Sequence, residues 1–417
     1  MGKRNLLADT AEVILDFRES EGRLFYTILD SKKECLGYYY DGDIHEQKPD
    51  IGKHYVTWQY DHHHHQEGVE YLSLYCGGKP ISDFCPPYLE RELEISRDKK
   101  NAFSKAITNS KIRASDVCAQ ELLPSWFLKE ISQLKCEILR EIFSTQKKPE
   151  SYDFMLELEK LFGQISQNEL TVDLSPLQNM RGKTAVRNFI KRVSGKTTIK
   201  YNQFGTITGR LTTTSDSFPI MNLNRSFRKI LKPNNDLFVE FDYNAAELRT
   251  MMALAGATQP QEDVHEWNMK NIFFTSNREQ AKKRVFAWLY NPNSVDEALD
   301  RAYNRKKVLS QYWNGISVKN PFGREIGAQE HYALNYIIQS TTNDLVLRQI
   351  LKVNDLLRGK KSKIVFLIHD SFVLDLDKNE KDLVLEIAKI FSQSKFGDFM
   401  VNIKAGKDFG NMKEVSL

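Results

Sequence analysis

The sequence has 417 residues, enough to bury more than one core, so two or more subdomains are expected. Apolar residues make up 41% and charged residues 27% of the chain, the balance of a globular protein rather than of a disordered tail. The net charge of +4 is small but unevenly spread: Arg181 to Lys232 carries twelve Lys or Arg against one acid, Asp216. A field of that sign suits a polyanion, although a charge run taken alone is more often a solvated face.

The first twenty residues, MGKRNLLADTAEVILDFRES, reach acids too early for a signal segment, and no apolar run approaches membrane-spanning length. Cys35, Cys76, Cys85, Cys118 and Cys136 are odd in number and lack CxxC spacing, which points to reduced thiols in a cytoplasmic protein. Up to about residue 95 the runs AEVILDF, RLFYTILD, HYVTWQY and VEYLSLY, separated by turns such as DGD and CGGKP, predict a β-meander. His62 to His65 with Cys76 and Cys85 have no accepted ligand spacing, and four adjacent histidines cannot all face one zinc ion. Asp16 and Glu19 are three apart, an odd offset that puts them on opposite faces of a strand.

From about 120 to 195 the apolar spacing is helical, as in WFLKEISQLKCEILREIF and FMLELEKLF. DLFVEFDY then predicts a strand ending near Asp242, followed by a helix with small residues in its first turn. Further on, IVFLIHDSFVLDL sets Asp370 between two apolar arms. Taken singly, each Asp is a plausible cap or turn residue. Taken together, two carboxylates on rigid strands are what a pair of hard divalent cations requires for phosphoryl transfer to a hydroxyl. In 278–291, Arg278, Lys282, Phe286 and Tyr290 recur every fourth residue and form one helix stripe. Two cations followed by two aromatics suit a triphosphate beside a flat base; an isolated amphipathic helix with core aromatics would show the same pattern.

These segments occur in an order that resembles family A DNA polymerases, the bacterial DNA polymerase I-like group. The resemblance rests on TGRL (Thr208 to Leu211), FDYNAAELR, R-x3-K-x3-F-x3-Y, NYIIQSTTND, IHDS and the terminal IKAGKDFGNMKEV. It covers roughly 120–417 and is strongest from 200. It implies an α+β right-hand fold with an antiparallel palm sheet, helical fingers and thumb, and here a small N-terminal β-rich module. The expected divisions are a module at 1–96, thumb at 97–200, palm at 201–256 and 341–417, and fingers at 257–340.

The resemblance further implies that Asp242 and Asp370 hold two Mg2+ ions, for which Mn2+ can substitute, with Lys282 as a third catalytic residue. Arg278, Lys282 and His265 would meet the triphosphate, Phe286 the sugar and Tyr290 the template base. Glu247 would crowd the 2′ position. Arg210, Asn222, Gln339 and His369 would probe the minor groove, and Lys183, Arg187 and Lys191 would track phosphates without reading sequence. The implied partners are primer-template DNA and deoxynucleoside triphosphates, with a separate exonuclease or processivity factor as a further option and no membrane.

The sequence also departs from the pattern. In IHDS, Ser371 stands where the family usually has a second acid, Ala287 and Asn291 replace glycines, and Asn244, Ala245 and Ala246 replace Ser-Gln-Ile. The residues before 96 are too few for a family-type 3′→5′ exonuclease domain, so proofreading is expected to be absent. A short, exonuclease-deficient form resembles a phage-type enzyme, which would act in a host's cytoplasm. The alternatives are a single-subunit RNA polymerase-like enzyme and a degenerate DNA-binding homologue. Glu247, Phe286 and TGRL weigh against the first, and the retained aspartates and Lys282 against the second.

Overall fold

The computed structural model describes residues 23–29, 35–47, 49, 55–62, 65, 67–111, 122–274, 277–291 and 293–415. Asp16, Glu19, His63, His64 and Cys118 lie outside them. Two compact units divide the chain, Met1–Leu156 and Glu157–Leu417.

In the first unit, β2 (Tyr26–Leu29), β3 (Cys35–Tyr40) and β4 (Asp43–His45) form an antiparallel meander. A second sheet differs from the expected meander. Here β1 (Arg23–Leu24), β5 (Tyr55–Thr57) and β6 (Val69–Tyr71) pair in parallel in the order β1-β5-β6. Such short strands carry too little alternation to fix their partners from sequence, and the burial of Val56, Val69 and Tyr71 decides the pairing instead. The run VEYLSLY divides between β6 and a helical turn at Leu72–Tyr75.

Two long helices follow, α1 (Glu90–Asn109) and α2 (Ser125–Thr145). Phe127, Leu134, Ile138, Leu139 and Ile142 recur at helical spacing on α2 and are buried. The last four pack with Val56, Leu72, Cys76 and Leu89. Burial pushes the Cys76 thiol up to about 11 and the Cys136 thiol up to about 12, so both behave as small hydrophobes.

The helix α3 (Tyr152–Gln167) spans the division, and the second unit continues with α4 (Thr184–Val193). Val186, Phe189 and Val193 are the buried side of α4, while Lys183 before it and Arg187 and Lys191 on it are exposed.

The centre of this unit is a five-stranded antiparallel sheet. It consists of β7 (Leu237–Tyr243), β8 (Lys363–Ile368), β9 (Ser371–Leu376), β10 (Val401–Gly406) and β11 (Lys413–Glu414), in the order β8-β9-β7-β10-β11. Side-chain alternation on β7 sends Phe241 and Tyr243 to one face and Glu240 and Asp242 to the other. Phe241 stacks on Phe372 at 5.0 Å and Tyr243 on Phe391 at 4.1 Å. Aromatic pairs of this kind contribute about 0.5–1.5 kcal/mol beyond their buried area, which fixes the register of the strand that carries Asp242.

A helical layer completes the unit: α5 (Ala246–Ala255), α6 (Val264–Asn268), α7 (Arg278–Tyr290), α8 (Glu297–Tyr303), α9 (Arg305–Tyr312), α10 (Glu330–Leu356) and α11 (Leu383–Ser392). On α7 the residues Ala281, Val285, Trp288 and Leu289 are buried, leaving Arg278 and Tyr290 exposed on the other side. Among the described residues no helix is long and apolar enough to cross a membrane.

Candidate active site

Asp242 is the last but one residue of β7, and its Cα partner on β9 is Ser371, the neighbour of Asp370. Asp370 itself lies in the two-residue turn between β8 and β9, where Ile368 pairs with Ser371. His369, the first residue of that turn, has a φ of 54°, left-handed backbone that a side chain with a Cβ rarely adopts. The Tyr243 amide reaches the Asp370 carbonyl at 3.5 Å, so the strand end and the turn are joined next to both carboxylates. The turn that follows β7 is also left-handed, with φ 49° at Ala245, and it starts α5 so that Glu247 falls in the first helical turn.

Both aspartates line one cleft of about 390 Å³ together with Arg225, Arg228, Glu240, His369 and Lys404. Burial, and then the negative charges of Asp370 and Glu240, push the Asp242 carboxyl up to about 7. Burial likewise raises Asp370 and Glu240. Carboxyls that resist ionisation because they are buried beside like charges are what a divalent cation relieves, so this donor set fits metal ions. Ser371 is buried and donates its hydroxyl to the Ile368 carbonyl at 3.0 Å, away from any carboxylate role. Among the described residues there is no group of three or more His, Cys, Asp or Glu side chains arranged to hold a metal ion.

A second cleft, of about 290 Å³, shares His369 and Asp370 with the first. Arg210, Glu247, Phe286, Tyr290 and Gln339 line it as well, so seven of the side chains singled out in the sequence meet here. Glu247 is the hub: it accepts from the Arg210 guanidinium and from the Tyr290 hydroxyl. Its side chain is only 14% exposed, and burial raises its carboxyl while Arg210 opposes the rise. Tyr290 stacks on Phe286 at 5.8 Å with an 8° interplanar angle, so the two aromatics of the every-fourth-residue stripe present parallel rings.

Arg210 is presented by a turn whose backbone at Gly209 disfavours a larger residue. There φ is +80°, and a Cβ would come within 2.7 Å of the Arg324 guanidinium carbon. Asn343 on α10 donates to the Gly209 carbonyl at 2.8 Å, and Arg324 pairs with Asp344 at 2.7 Å.

The remaining candidates stand outside the two linings. His265 is buried, its ring 5.8 Å from Phe286, and burial lowers its tendency to protonate. Lys282 lies 5.9 Å from the Phe286 ring. Arg278 pairs with Asp263 at 2.9 Å. Phe286 thus connects the cleft to two of the three triphosphate candidates, Lys282 and His265. Asn222 is exposed beside the lining residue Met221. Arg187 is engaged locally, donating to the carbonyls of Arg181 at 3.1 Å and Gly182 at 2.7 Å.

Two contributors escaped the sequence reading. Glu240 shares the face of Asp242, a placement that the two-residue period of FVEFD already encodes. Arg249 is fully buried and donates to the carbonyls of Asn244, Pro260 and Glu262, each at 2.8 Å. Nothing in the pattern marks an arginine as a core residue.

No family model matches the chain. It is 23% identical over 344 residues to the DNA polymerase I of Borreliella burgdorferi, covering 68% of this chain and 38% of that protein. It is 23% identical over 358 residues to the DNA polymerase I of Caldicellulosiruptor bescii, covering 71% and 42%. With the DNA polymerase I of Chloroflexus aurantiacus the identity is 21% over 293 residues, covering 56% and 31%. The chain therefore spans about two fifths or less of the length of these relatives. Among solved structures it resembles the POL domain of Pol1 from M. smegmatis in complex with DNA primer-template and dNTP. The TM-score is 0.62 at 13% identity, covering 93% of this chain and 95% of that one. The mixed helix-and-sheet fold is that of a polymerase domain, and the sequence resembles DNA polymerase I.

Proposed function

We propose that this chain is a family A DNA polymerase that adds deoxynucleotides to a primer 3′ end under the direction of a template. The observation that carries the proposal is the junction of the two clefts. Asp370 borders both the carboxylate cleft with Asp242 and the Glu247–Phe286–Tyr290–Gln339 cleft. A primer end at the first and a nucleotide in the second would meet beside Asp370.

Asp242 and Asp370 would hold two Mg2+ ions, which when bound lower the charge barrier to in-line attack on the α-phosphate. The chain's own residues bind and orient. Arg278, Lys282 and His265 would engage the triphosphate, and Phe286 and Tyr290 the sugar and base. Glu247, braced by Arg210 and Tyr290, would occupy the space that a 2′-hydroxyl needs. Lys282 would donate a proton to departing pyrophosphate. Arg210, Asn222, Gln339 and His369 would read the minor-groove edge, and Lys183, Arg187 and Lys191 the backbone phosphates.

In this reading 97–200 is the thumb, 201–256 with 341–417 the palm, and 257–340 the fingers. The proposal includes no proofreading step, which a mismatched-primer assay tests. The deciding experiment is extension of a labelled primer annealed to a DNA template, with Mg2+ and the four dNTPs. Template-dependent lengthening supports the proposal. No extension, or extension with ribonucleotides alone, ends it.

A further inference from the structure

The proposal concerns Asp263, which no part of the sequence pattern distinguishes. Its carboxylate is fixed from three sides. One oxygen accepts from the Glu266 amide at 2.9 Å and caps α6, and the other accepts from the Asn244 amide at 2.7 Å. Asn244 is itself held, since its side-chain oxygen accepts from the Val264 amide at 3.1 Å and from Arg249 at 3.2 Å. Arg249 then pins the backbone at Pro260 and Glu262. The third partner of Asp263 is Arg278, at 2.9 Å. Of this pair Asp263 is 17% exposed and Arg278 43% exposed, at the first residue of α7. The carboxylate is therefore part of the scaffold, and the guanidinium is the half that can move.

Arg278 has one planar cation to offer, with a small further pull from Glu279 at 3.9 Å. The ion pair runs from one guanidinium nitrogen, Nη2, to one Asp263 oxygen, so a polyphosphate that binds through the edge carrying Nη2 must displace the carboxylate from that edge. On the polymerase reading, on which this inference rests, we propose that Asp263 competes with the incoming nucleotide's triphosphate for Arg278 and so sets nucleotide affinity. Burial opposes ionisation of Asp263, but the hydrogen bonds from Asn244 and Arg278 outweigh it and bring the carboxyl down to about 2, so the competitor is charged at any working pH. The contact also makes nucleotide affinity depend on Asn244, one of the residues at which the FDYNAAELR segment departs from the family pattern.

The test is a double-mutant cycle on the whole chain bound to primer-template. Kd for dATP opposite template T is measured calorimetrically with a 3′-dideoxy primer and Mg2+. Asp263→Asn and Asp263→Ser both keep an N-cap acceptor for Glu266 while removing the charge. Agreement between them separates the charge from any disturbance of Asn244. In the presence of Arg278 both substitutions should tighten dATP binding by about two- to fivefold, the span of measured partly exposed ion pairs. In an Arg278→Ala background the same substitutions should change Kd by less than about 1.5-fold, because the competed group is gone. Weaker binding when only Asp263 is changed overturns the inference, since Asp263 would then orient Arg278 rather than compete for it. Equal effects in both backgrounds overturn it too, since Asp263 would then act through the α6 cap. If either occurs while the wild type extends primers, the inference fails alone. A wild type that neither binds dATP nor extends primers removes the polymerase reading together with it.

Discussion

Replacing Asp242 by asparagine should make the folded chain more stable while it abolishes the proposed chemistry. In the folded chain the Asp242 carboxyl is carried from 3.8 to about 7, first by burial and then by the charges of Asp370 and Glu240. At ~1.36 kcal/mol for each tenfold change in proton affinity, ionising Asp242 costs about 4 kcal/mol more in the folded chain than in the unfolded one. Water at the mouth of the cleft screens part of that repulsion, so ~1–3 kcal/mol is the expected effect.

The sign follows from linkage. A carboxyl whose folded value is raised loses stability as pH climbs through the interval from 3.8 to about 7, and the loss is complete above it. The Asp242→Asn variant has no such loss, so its advantage should grow between about pH 5 and pH 8. For a unit of this size 1 kcal/mol moves Tm by about 2–4 °C, giving a difference of roughly 2–12 °C at pH 8 and about two fifths of that at pH 5. Differential scanning calorimetry of both proteins without divalent cations reads this directly. Adding Mg2+ at pH 8 should raise the wild-type Tm and leave the variant nearly unmoved, because only the wild type has the paired carboxylates. An Asp242→Asn variant that melts at or below wild type across the whole pH range would refute the account of a half-buried acid raised by desolvation and by the charges of Asp370 and Glu240.

Asp242→Ala and Asp370→Ala should each lower primer extension by at least about a thousandfold, ~4 kcal/mol of barrier, with DNA affinity by fluorescence anisotropy within about threefold of wild type. Activity kept within about tenfold would defeat the two-metal assignment. Ser371→Ala should be mild, because its hydroxyl is spent on the Ile368 carbonyl. A 3′-mismatched, end-labelled primer incubated with the chain and Mg2+ but no nucleotides should keep its length on a denaturing gel; stepwise shortening that survives both Asp substitutions would show a nuclease site elsewhere. Glu247→Ala should reduce the ratio of kcat/KM for dATP over ATP by at least about tenfold, ~1.4 kcal/mol, and an unchanged ratio in a folded, active variant would remove Glu247 from sugar selection.

The parts of this site that could be read from sequence are those where one element carries its own signal. FVEFD is a strand by composition and ends in an acid; IVFLIHDSFVLDL is a hairpin with an acid at its turn. The four-residue rhythm of Arg278, Lys282, Phe286 and Tyr290 is a helix stripe, and the structure joins its two aromatics into one stacked face. What sequence did not reveal depends on contacts between segments. Asp263 and Arg278 are fifteen residues apart with no periodic relation, and Asp263 is placed for Arg278 by Arg249, which holds the backbone just before it at Pro260 and Glu262. An arginine ordinarily belongs on the surface, so only its set of carbonyl partners identifies it as an internal brace.

The same distinction explains why the junction of the clefts falls at Asp370. A hairpin turn would ordinarily be filled by Asn-Gly or a similar pair able to adopt left-handed backbone. Here His369 takes φ 54° instead, a conformation that costs free energy and persists where the surroundings hold it. The surroundings are identifiable: Ile368 pairs with Ser371 behind the turn, and the Tyr243 amide meets the Asp370 carbonyl in front of it. Relaxing the turn with glycine in place of His369 would remove the strain and also the imidazole that lines both clefts. The strain is therefore tied to the side chain, and a strained, side-chain-bearing turn between two clefts is the expected place for a carboxylate that must serve a primer end on one side and a nucleotide on the other.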